Sequence, residues 1–212
     1  MLKLYDYPQC PFSQKTRIVL AEKQLDYEKI IVDLRKREQF DPSFLALNPF
    51  HKVPVLVEEE EGEENPTVIY DSTVIDEYLE DEYPEPALLP PPGDSAARSR
   101  IRQLEDYADI AFVLPAGNLL TEHVKREEER DVERLRRAKE EVDRAFLLLE
   151  RELQGGRQFL GGDQFTLADA AFAPRLLLLM SRNVELPEGT RALRGYIDRL
   201  RQRESVRRLD GI

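Results

Sequence analysis

The sequence has one cysteine, no tryptophan and two histidines among its 212 residues. A single cysteine excludes an intrachain disulfide, and His51 and His123 alone are too few to assemble a zinc site or a histidine-based catalytic site. No stretch approaches the roughly 18 consecutive apolar residues of a membrane span, and Lys3 and Asp6 interrupt any apolar leader. We therefore expect no bound metal, no membrane segment and a reducing, cytoplasmic setting.

The chain has fewer basic than acidic residues, 31 Lys and Arg against 42 Asp and Glu, and the excess of acids is unevenly placed. The net charge of −11 argues against general affinity for nucleic acid or anionic lipid. Residues 1–83 hold nine Lys and Arg against nineteen Asp and Glu, whereas residues 84–212 hold 22 against 23. Six of the acids lie between Glu58 and Glu64, where we predict a solvated hairpin turn. The contrast between the two parts indicates two units of different composition.

The first 83 residues alternate between the patterns typical of strands and of helices. β-branched runs predict strands, and apolar residues at three- and four-residue spacing predict helices. The predicted strands are 2–5, 27–32, 53–57 and 67–70, and the predicted helices are 13–23, a short helix before Asn48-Pro49, and 72–83. The order β-α-β-α-β-β-α, with a parallel first pair and an antiparallel last pair, predicts an α/β thioredoxin-like domain over residues 1–83.

A proline-rich segment separates this domain from a region that is almost entirely helical. Residues 84–93 contain five prolines and one glycine, which excludes a regular helix or a central strand and predicts a stiff linker. Residues 94–212 show helical spacing and predict an all-α bundle. Within the bundle, Thr166 and Asp169 have the spacing of a capping box, and we expect the apolar helix that follows to be broken at Pro174.

The single cysteine lies where a strand meets a helix. Cys10 follows the first predicted strand, and Pro11 suits the first position of a helix because its missing N–H has no partner to lose there. Cys10 would then be the N-cap residue, close to unpaired backbone N–H groups and to the positive end of the helix dipole, which favour the thiolate. We therefore expect a lowered pKa and a reactive sulfur. The alternative is a cysteine that acts as a small buried hydrophobe.

Several motifs, taken in order, resemble those of the glutathione transferase superfamily over essentially the whole chain. They are Cys10-Pro11-Phe12-Ser13, the run from Asn48 to Leu56 with Val53-Pro54 at its centre, Tyr70-Asp71-Ser72, and, after the linker, the run from Phe159 to Asp169. Because a cysteine follows the first strand, the chain is similar to the cysteine-type branch of this superfamily, which includes the omega, beta and dehydroascorbate-reductase classes. The same segment also looks like that of the stringent starvation protein group.

The resemblance implies that glutathione binds the thioredoxin-like domain in an extended form. Pro54 would be cis, and Val53 would present its backbone N–H and C=O to the cysteinyl part of glutathione. The γ-glutamyl carboxylate would lie at the helix N-terminus opened by Asp71-Ser72. Lys52 would meet the glycyl carboxylate, with His51 as a weaker candidate. The complete implied set of glutathione-binding residues is Phe12, Ser13, Lys52, Val53, Pro54, Asp71 and Ser72.

An ordinary alternative exists for each of these implied contacts. Pro54 could be a trans proline that begins a strand, and Asp71-Ser72 could be an N-cap pair without a ligand. Lys52 could be a solvated surface lysine. The implied site therefore depends on the order of the motifs and not on any one of them.

The resemblance implies a glutathione-dependent enzyme in which the catalytic residue, Cys10, forms a mixed disulfide with glutathione. Ser13 stands where dithiol glutaredoxins have a second cysteine, so turnover would need a second glutathione. The expected reactions are thiol transfer, deglutathionylation or a dehydroascorbate-type reduction, with glutathione as co-substrate and no metal. The second substrate would be a small electrophile or disulfide bound between the domains of a homodimer subunit.

Two alternative functions stay open. One is classical conjugation of glutathione to electrophiles, with Tyr5, Tyr7 or Ser13 as the hydroxyl donor. The other is a non-catalytic protein that contacts RNA polymerase, as the resemblance to stringent starvation proteins implies.

Overall fold

The computed structural model describes residues 1–59, 62 and 65–209. The chain divides into two compact units, whose continuous parts are Met1–Ala87 and Leu88–Arg207. The boundary between these units falls inside the proline-rich segment 84–93. The finer division into 1–83, 84–93 and 94–212 stays a prediction.

The first unit is built on a mixed four-stranded sheet. Along the chain its elements are β1 (Leu2–Asp6), α1 (Pro11–Glu22), β2 (Tyr27–Ile31), a 3₁₀ turn (Glu38–Phe40), α2 (Pro42–Leu45), β3 (Val55–Glu58), β4 (Thr67–Tyr70) and α3 (Ser72–Glu82). The strand order is β2-β1-β3-β4, with β1 parallel to β2 and β3 antiparallel to both β1 and β4. This arrangement confirms the predicted thioredoxin-like fold.

The central strand β3 is buried along its whole length. Val55 and Val57 belong to one apolar cluster with Val32 and Phe44. Leu56 points to the opposite face, because side chains alternate along a strand, and it is also fully buried. A strand that is buried on both faces has a fixed register, so the segment that enters it is fixed as well.

The acidic run from Glu58 to Glu64 differs from the prediction at its first residue. Glu58 ends β3 and is 6% exposed. The hydroxyls of Tyr78 and Tyr83 donate to its two carboxylate oxygens. Burial and the neighbouring Glu58 carboxylate raise the pKa of Tyr78. Glu58 is therefore a structural anchor and not part of a solvated turn; Glu60, Glu61, Glu63 and Glu64 lie outside the described residues.

The second unit is helical. Its elements are α4 (Ser95–Tyr107), a π-helical turn (Ala108–Phe112), α5 (Val113–His123), a 3₁₀ turn (Glu127–Glu129), α6 (Val132–Glu152), a 3₁₀ turn (Gln154–Gly156), α7 (Leu167–Ser181), α8 (Arg191–Gln202) and α9 (Glu204–Arg207). This confirms the predicted helical C-terminal part. Among the described residues, no helix combines the length and apolar character that crossing a bilayer requires.

The expected break at Pro174 is wrong. Helix α7 runs from Leu167 to Ser181 with Pro174 inside it. Proline removes one backbone hydrogen bond from a helix, but nearly all residues of α7 from Leu167 to Leu179 are buried. Packing on all sides holds this helix together. The rule that proline breaks a helix considers only the local backbone and leaves such packing out.

The predicted capping box at the start of α7 is confirmed. Asp169 is fully buried and accepts hydrogen bonds from the N–H and the hydroxyl of Thr166, from the N–H of Leu160 and from the hydroxyl of Tyr196. Gly161 lies in the same turn, where an added Cβ would come within 2.3 Å of Thr166 Cγ2. The turn therefore requires glycine, and one carboxylate ties it to two helices.

Candidate functional site

Cys10 is the N-cap residue of α1, as predicted. Its backbone is extended, with φ −74° and ψ 120°, and Pro11 begins the helix. The N–H of Cys10 donates to the carbonyl of Tyr7 at 2.9 Å, and the N–H of Gln14 donates to the carbonyl of Cys10 at 2.9 Å. The turn before the helix and the first turn of the helix thus hold the residue, and its side chain stays partly exposed.

The environment of the sulfur contradicts the expected low pKa. Burial raises the pKa of the Cys10 thiol, and the carboxylate of Asp6 raises it further. The backbone N–H groups of Ser13 and Phe12 and the hydroxyl of Ser13 act in the opposite direction, but they do not outweigh burial. The helix N-terminus supplies the donors that the sequence indicates. The sequence does not show the desolvation.

Ser13 is the residue of α1 whose side chain bears most directly on Cys10. It is fully buried, and its hydroxyl forms no hydrogen bond of standard geometry within the part of the chain that the structure describes. A buried hydroxyl without a partner is costly, and this hydroxyl lowers the pKa of the neighbouring thiol. Ser13 is therefore a candidate donor to a sulfur anion at this position.

The segment before β3 brings a second backbone group to the sulfur. The Val53-Pro54 peptide bond is cis, which confirms the expectation. The thiol of Cys10 donates to the carbonyl of Val53, with 3.8 Å between sulfur and oxygen. Among the described residues, none accepts a hydrogen bond from the N–H of Val53. The N–H of Val53 is therefore free to pair with an extended peptide, and its carbonyl, which accepts the thiol, has a second lone pair for such pairing.

Asn48 organises this segment, and sequence reasoning gave it no role. Its side chain is buried; Nδ2 donates to the carbonyl of Lys52 at 2.8 Å, and Oδ1 accepts from the N–H of Phe50 at 2.9 Å. One amide thus bridges the loop that leads to Val53. The signal that could have found it is the Asn-Pro pair, since asparagine commonly bonds to backbone groups two residues further on.

Asp71 and Ser72 lie at the N-terminus of α3, as predicted. Asp71 is the N-cap, and its Oδ1 accepts from the N–H groups of Thr73 at 3.0 Å and Val74 at 3.4 Å. Its φ of 76° is in the left-handed region that favours glycine, a conformation that often marks functional sites. Ser72 follows and is buried. The Asp71 carboxylate already accepts from two of the helix N–H groups, and a ligand-binding role of Ser72 stays a prediction.

The register of the sheet places these segments at the same end of its strands. Tyr5 in β1 pairs with Val55 in β3, and Val55 pairs with Tyr70 in β4. At this end of the sheet, the turn to Cys10 follows β1, Val53-Pro54 precedes β3, and Asp71 follows β4. Three segments that are distant in sequence therefore meet at the same end of three neighbouring strands.

The remaining predicted residues are less constrained. The side chain of Lys52 is exposed, and its carbonyl is the acceptor for Asn48. Phe12 is half-buried in the first turn of α1. His51 is exposed, and its ring lies 4.8 Å from that of Phe40. In the described part of the chain, no three His, Cys, Asp or Glu residues are placed to hold a metal ion.

Comparison with known proteins assigns the chain to a family. Residues 4–87 match the model for the glutathione S-transferase N-terminal domain, and residues 107–204 match the model for the glutathione S-transferase C-terminal domain. The chain therefore belongs to the glutathione S-transferase family, and it is a glutathione S-transferase-like enzyme.

Three curated relatives with different names are similar to this chain. The chain is 35% identical to the zeta-class glutathione S-transferase of Euphorbia esula, over 88% of this chain and 80% of the relative. It is 34% identical to the maleylacetoacetate isomerase of Pseudomonas aeruginosa, over 82% of this chain and 80% of the relative. It is also 30% identical to the stringent starvation protein A homolog of Coxiella burnetii, over 98% of this chain and 90% of the relative.

A solved structure shows the same architecture with a ligand. The glutathione transferase of Burkholderia graminis, with two glutathione molecules bound per subunit, superposes with a TM-score of 0.84. It is 27% identical and covers 98% of this chain and 86% of its own.

Proposed function

We propose that the chain is a cysteine-type glutathione transferase that catalyses thiol transfer through a mixed disulfide between Cys10 and glutathione. The observation that carries the proposal is the position of the only thiol. It belongs to the N-cap residue of α1, lies 3.8 Å from the carbonyl oxygen of Val53 and is next to the buried hydroxyl of Ser13.

The glutathione site that we propose lies at the end of the sheet where these three segments meet. The N–H and C=O of Val53 would pair with the cysteinyl residue of glutathione, which brings its sulfur towards Cys10. The γ-glutamyl carboxylate would bind at Ser72 and the N-terminus of α3, with Asp71 near the amino group, and Lys52 would reach the glycyl carboxylate. The Burkholderia graminis relative, which has glutathione bound on the same fold, supports glutathione as the ligand.

The proposed reaction has two exchange steps. The Cys10 thiolate attacks the glutathione sulfur of a glutathionylated substrate, so the Cys10–glutathione bond forms and the substrate thiolate leaves and takes up a proton. The thiolate of a second glutathione then attacks the glutathione sulfur of the mixed disulfide. Oxidised glutathione leaves, and Cys10 returns as a thiolate. Ser13 cannot supply a second thiol, so the chain itself offers no route to an internal disulfide.

The raised pKa of Cys10 sets a condition on this reaction. At neutral pH most of the thiol is protonated, and only the small thiolate fraction attacks. The hydroxyl of Ser13 and the N–H groups of α1 are the donors that stabilise this fraction. Attack should therefore be slow at neutral pH and speed up as the pH rises.

Mass spectrometry after treatment with oxidised glutathione tests the proposal. We expect a single glutathione adduct at Cys10, which free glutathione removes, and we expect the Cys10→Ala variant to lose the exchange activity. Cys10→Ser serves as a second variant of nearly the same shape. An intact chain without an adduct, or a Cys10→Ala variant with full exchange activity, would contradict the proposed mechanism.

A second candidate function uses the same glutathione site with glutathione as the nucleophile. The raised pKa favours it, because a protonated Cys10 can donate its S–H to a glutathione thiolate. The reaction would then be conjugation, or the isomerisation for which the Pseudomonas aeruginosa relative is named. In this case Cys10→Ser should keep activity towards an aryl halide or maleylacetoacetate, and no adduct is needed.

A third candidate is a binding protein that contacts RNA polymerase. The match to the Coxiella burnetii relative over 98% of this chain favours it. It requires stoichiometric binding to purified RNA polymerase that Cys10→Ala leaves unchanged. We also propose a homodimer, to be checked by light scattering in solution.

A further inference from the structure

Two side chains of α1 hold the turn that leads to Cys10. Arg17 Nη2 donates to the carbonyl of Pro8 at 2.8 Å, and Gln14 Nε2 donates to the same carbonyl at 3.1 Å. The N–H of Cys10 donates to the carbonyl of Tyr7, the residue before Pro8. The turn from Tyr7 to Cys10 is thereby tied to the helix that it precedes.

The guanidinium of Arg17 also lies beside a buried carboxylate. Its Nε is 3.7 Å from Oδ2 of Asp6, the last residue of β1, and the two side chains are 5% and 0% exposed. The negative charge of Asp6 raises the pKa of the Cys10 thiol. A cation next to this carboxylate offsets its repulsion of a thiolate. The planar fork of arginine can bind a carbonyl and face a carboxylate at the same time.

The other buried charges on α1 and α3 near this turn form a separate pair. Lys15 Nζ lies 3.8 Å from Oδ2 of Asp76 and donates to Oγ1 of Thr73 at 3.0 Å. Lys52, in the loop before β3, has an exposed side chain, where water screens its charge. Asp6 is thus the charge that acts on the Cys10 thiol, and Arg17 is the cation that lies beside it.

We propose that Arg17 is a positioning residue for Cys10: it fixes the turn before the thiol through the Pro8 carbonyl and screens the thiolate from the Asp6 carboxylate. The inference rests on the proposed function in one respect, namely that a thiolate at Cys10 is the reacting group. Arg17 itself needs no contact with the substrate.

Alkylation of the chain by iodoacetamide, followed by mass spectrometry against pH, tests this role without glutathione. Cys10 is the only cysteine, so the rate reports on one sulfur. Arg17→Met should lower the rate at pH 7.5 by about three- to tenfold and shift the profile to higher pH. Asp6→Asn should shift the profile to lower pH, and the double variant should recover part of the lost rate, because it removes the Asp6 charge but does not restore the contact with the Pro8 carbonyl.

Two further variants sharpen the comparison. Lys3→Met removes one positive charge at the other end of β1 and should leave the alkylation profile unchanged. Arg17→Lys keeps the charge without the planar fork and should fall between wild type and Arg17→Met. A Lys3→Met variant as slow as Arg17→Met would mean that only the net charge matters and would overturn the proposal.

An Arg17→Met profile that superposes on the wild type, or a double variant as slow as Arg17→Met, also overturns the proposal. If circular dichroism shows that Arg17→Met does not fold, Asp6→Asn alone decides, and an unchanged or slower rate contradicts the proposal. A chain whose Cys10 alkylates as expected but takes no adduct from oxidised glutathione contradicts the proposed function and leaves the role of Arg17 intact.

Discussion

At the scale of single residues, the reactivity of Cys10 is a balance between burial and hydrogen-bond donors. Burial raises the pKa of the thiol, while Ser13 and the N–H groups of α1 lower it. A helix N-terminus is commonly associated with acidic cysteines. Here burial raises the pKa of the thiol at this position, so the proposed thiol chemistry depends on conditions that change the thiolate fraction.

The pH dependence of Cys10 follows from the sign of its pKa shift. Because the folded pKa lies above the ordinary value of 9.0, the rate of adduct formation with oxidised glutathione should rise about tenfold per pH unit from pH 7 to at least pH 9. Mass spectrometry at a series of pH values measures this rate. A plateau below pH 8 would show that the donors outweigh burial.

Ser13 offers a second residue-level test. Ser13→Ala removes the buried hydroxyl that lowers the pKa of the thiol, so adduct formation at pH 7.5 should slow by about three- to tenfold. Ser43→Ala, an exposed serine in α2, is the matched control. An equal effect of both variants would remove Ser13 from the mechanism.

At the scale of elements, some features depend on local sequence signals and others depend on tertiary contacts. The N-cap at Cys10 and the capping box at Thr166 were predictable, because each depends on residues within one turn. The burial of Glu58 was not, because it depends on two tyrosines about twenty residues further along the chain. The continuation of α7 through Pro174 was not predictable for a similar reason, since packing from other helices sustains it.

The same distinction between local signals and tertiary contacts applies to the candidate site. Cys10, Val53-Pro54 and Asp71-Ser72 could be placed from motifs and their order. The role of Arg17 could not, because it acts on a backbone carbonyl that only the folded turn brings within reach. For Asn48 the Asn-Pro pair was a signal, but the bond to the Lys52 carbonyl depends on the folded loop. Hydrogen bonds to backbone groups leave little trace in a sequence.

The turn before α7 gives a stability prediction. Asp169→Ala would leave four buried donors without their acceptor, at an expected cost of about 3–5 kcal/mol in the free energy of unfolding. Urea denaturation measures this loss. Asp163→Ala, an exposed aspartate a few residues earlier, is the control and should cost less than about 0.5 kcal/mol. Similar losses for both variants would contradict the anchoring role of Asp169.

The first turn of α6 gives a prediction on pH and stability. Arg136 and Arg137 lower the pKa of Glu133 from 4.5 to about 2. A lowered folded pKa contributes stability above about pH 4.5 that is lost as the pH falls towards 2. The melting temperature of Glu133→Gln should therefore lie slightly below that of wild type at pH 7, and the difference should shrink at pH 3. Glu141→Gln on the same helix should show no such trend.

At the scale of the whole molecule, the proposed binding of glutathione would be linked to stability. A ligand that binds only the folded chain stabilises it by about 2.7 kcal/mol at a hundred times its Kd. S-methylglutathione, which lacks a free thiol, should therefore raise the melting temperature of wild type and of Cys10→Ala alike. Ser72→Ala should reduce the rise, and Ser95→Ala, an exposed serine at the start of α4, should not. A rise unaffected by Ser72→Ala would place the carboxylate elsewhere.

The pairing of Tyr5 with Val55 and of Val55 with Tyr70 makes the site part of the sheet and not an attachment to it. A slip of β3 by one residue would move Val53 by about 3.3 Å along the strand and turn Leu56 away from its side of the core. Loss of the sheet would therefore separate all three segments of the site. Protection of the β3 amides against hydrogen exchange should then fall in parallel with glutathione affinity as denaturant is added.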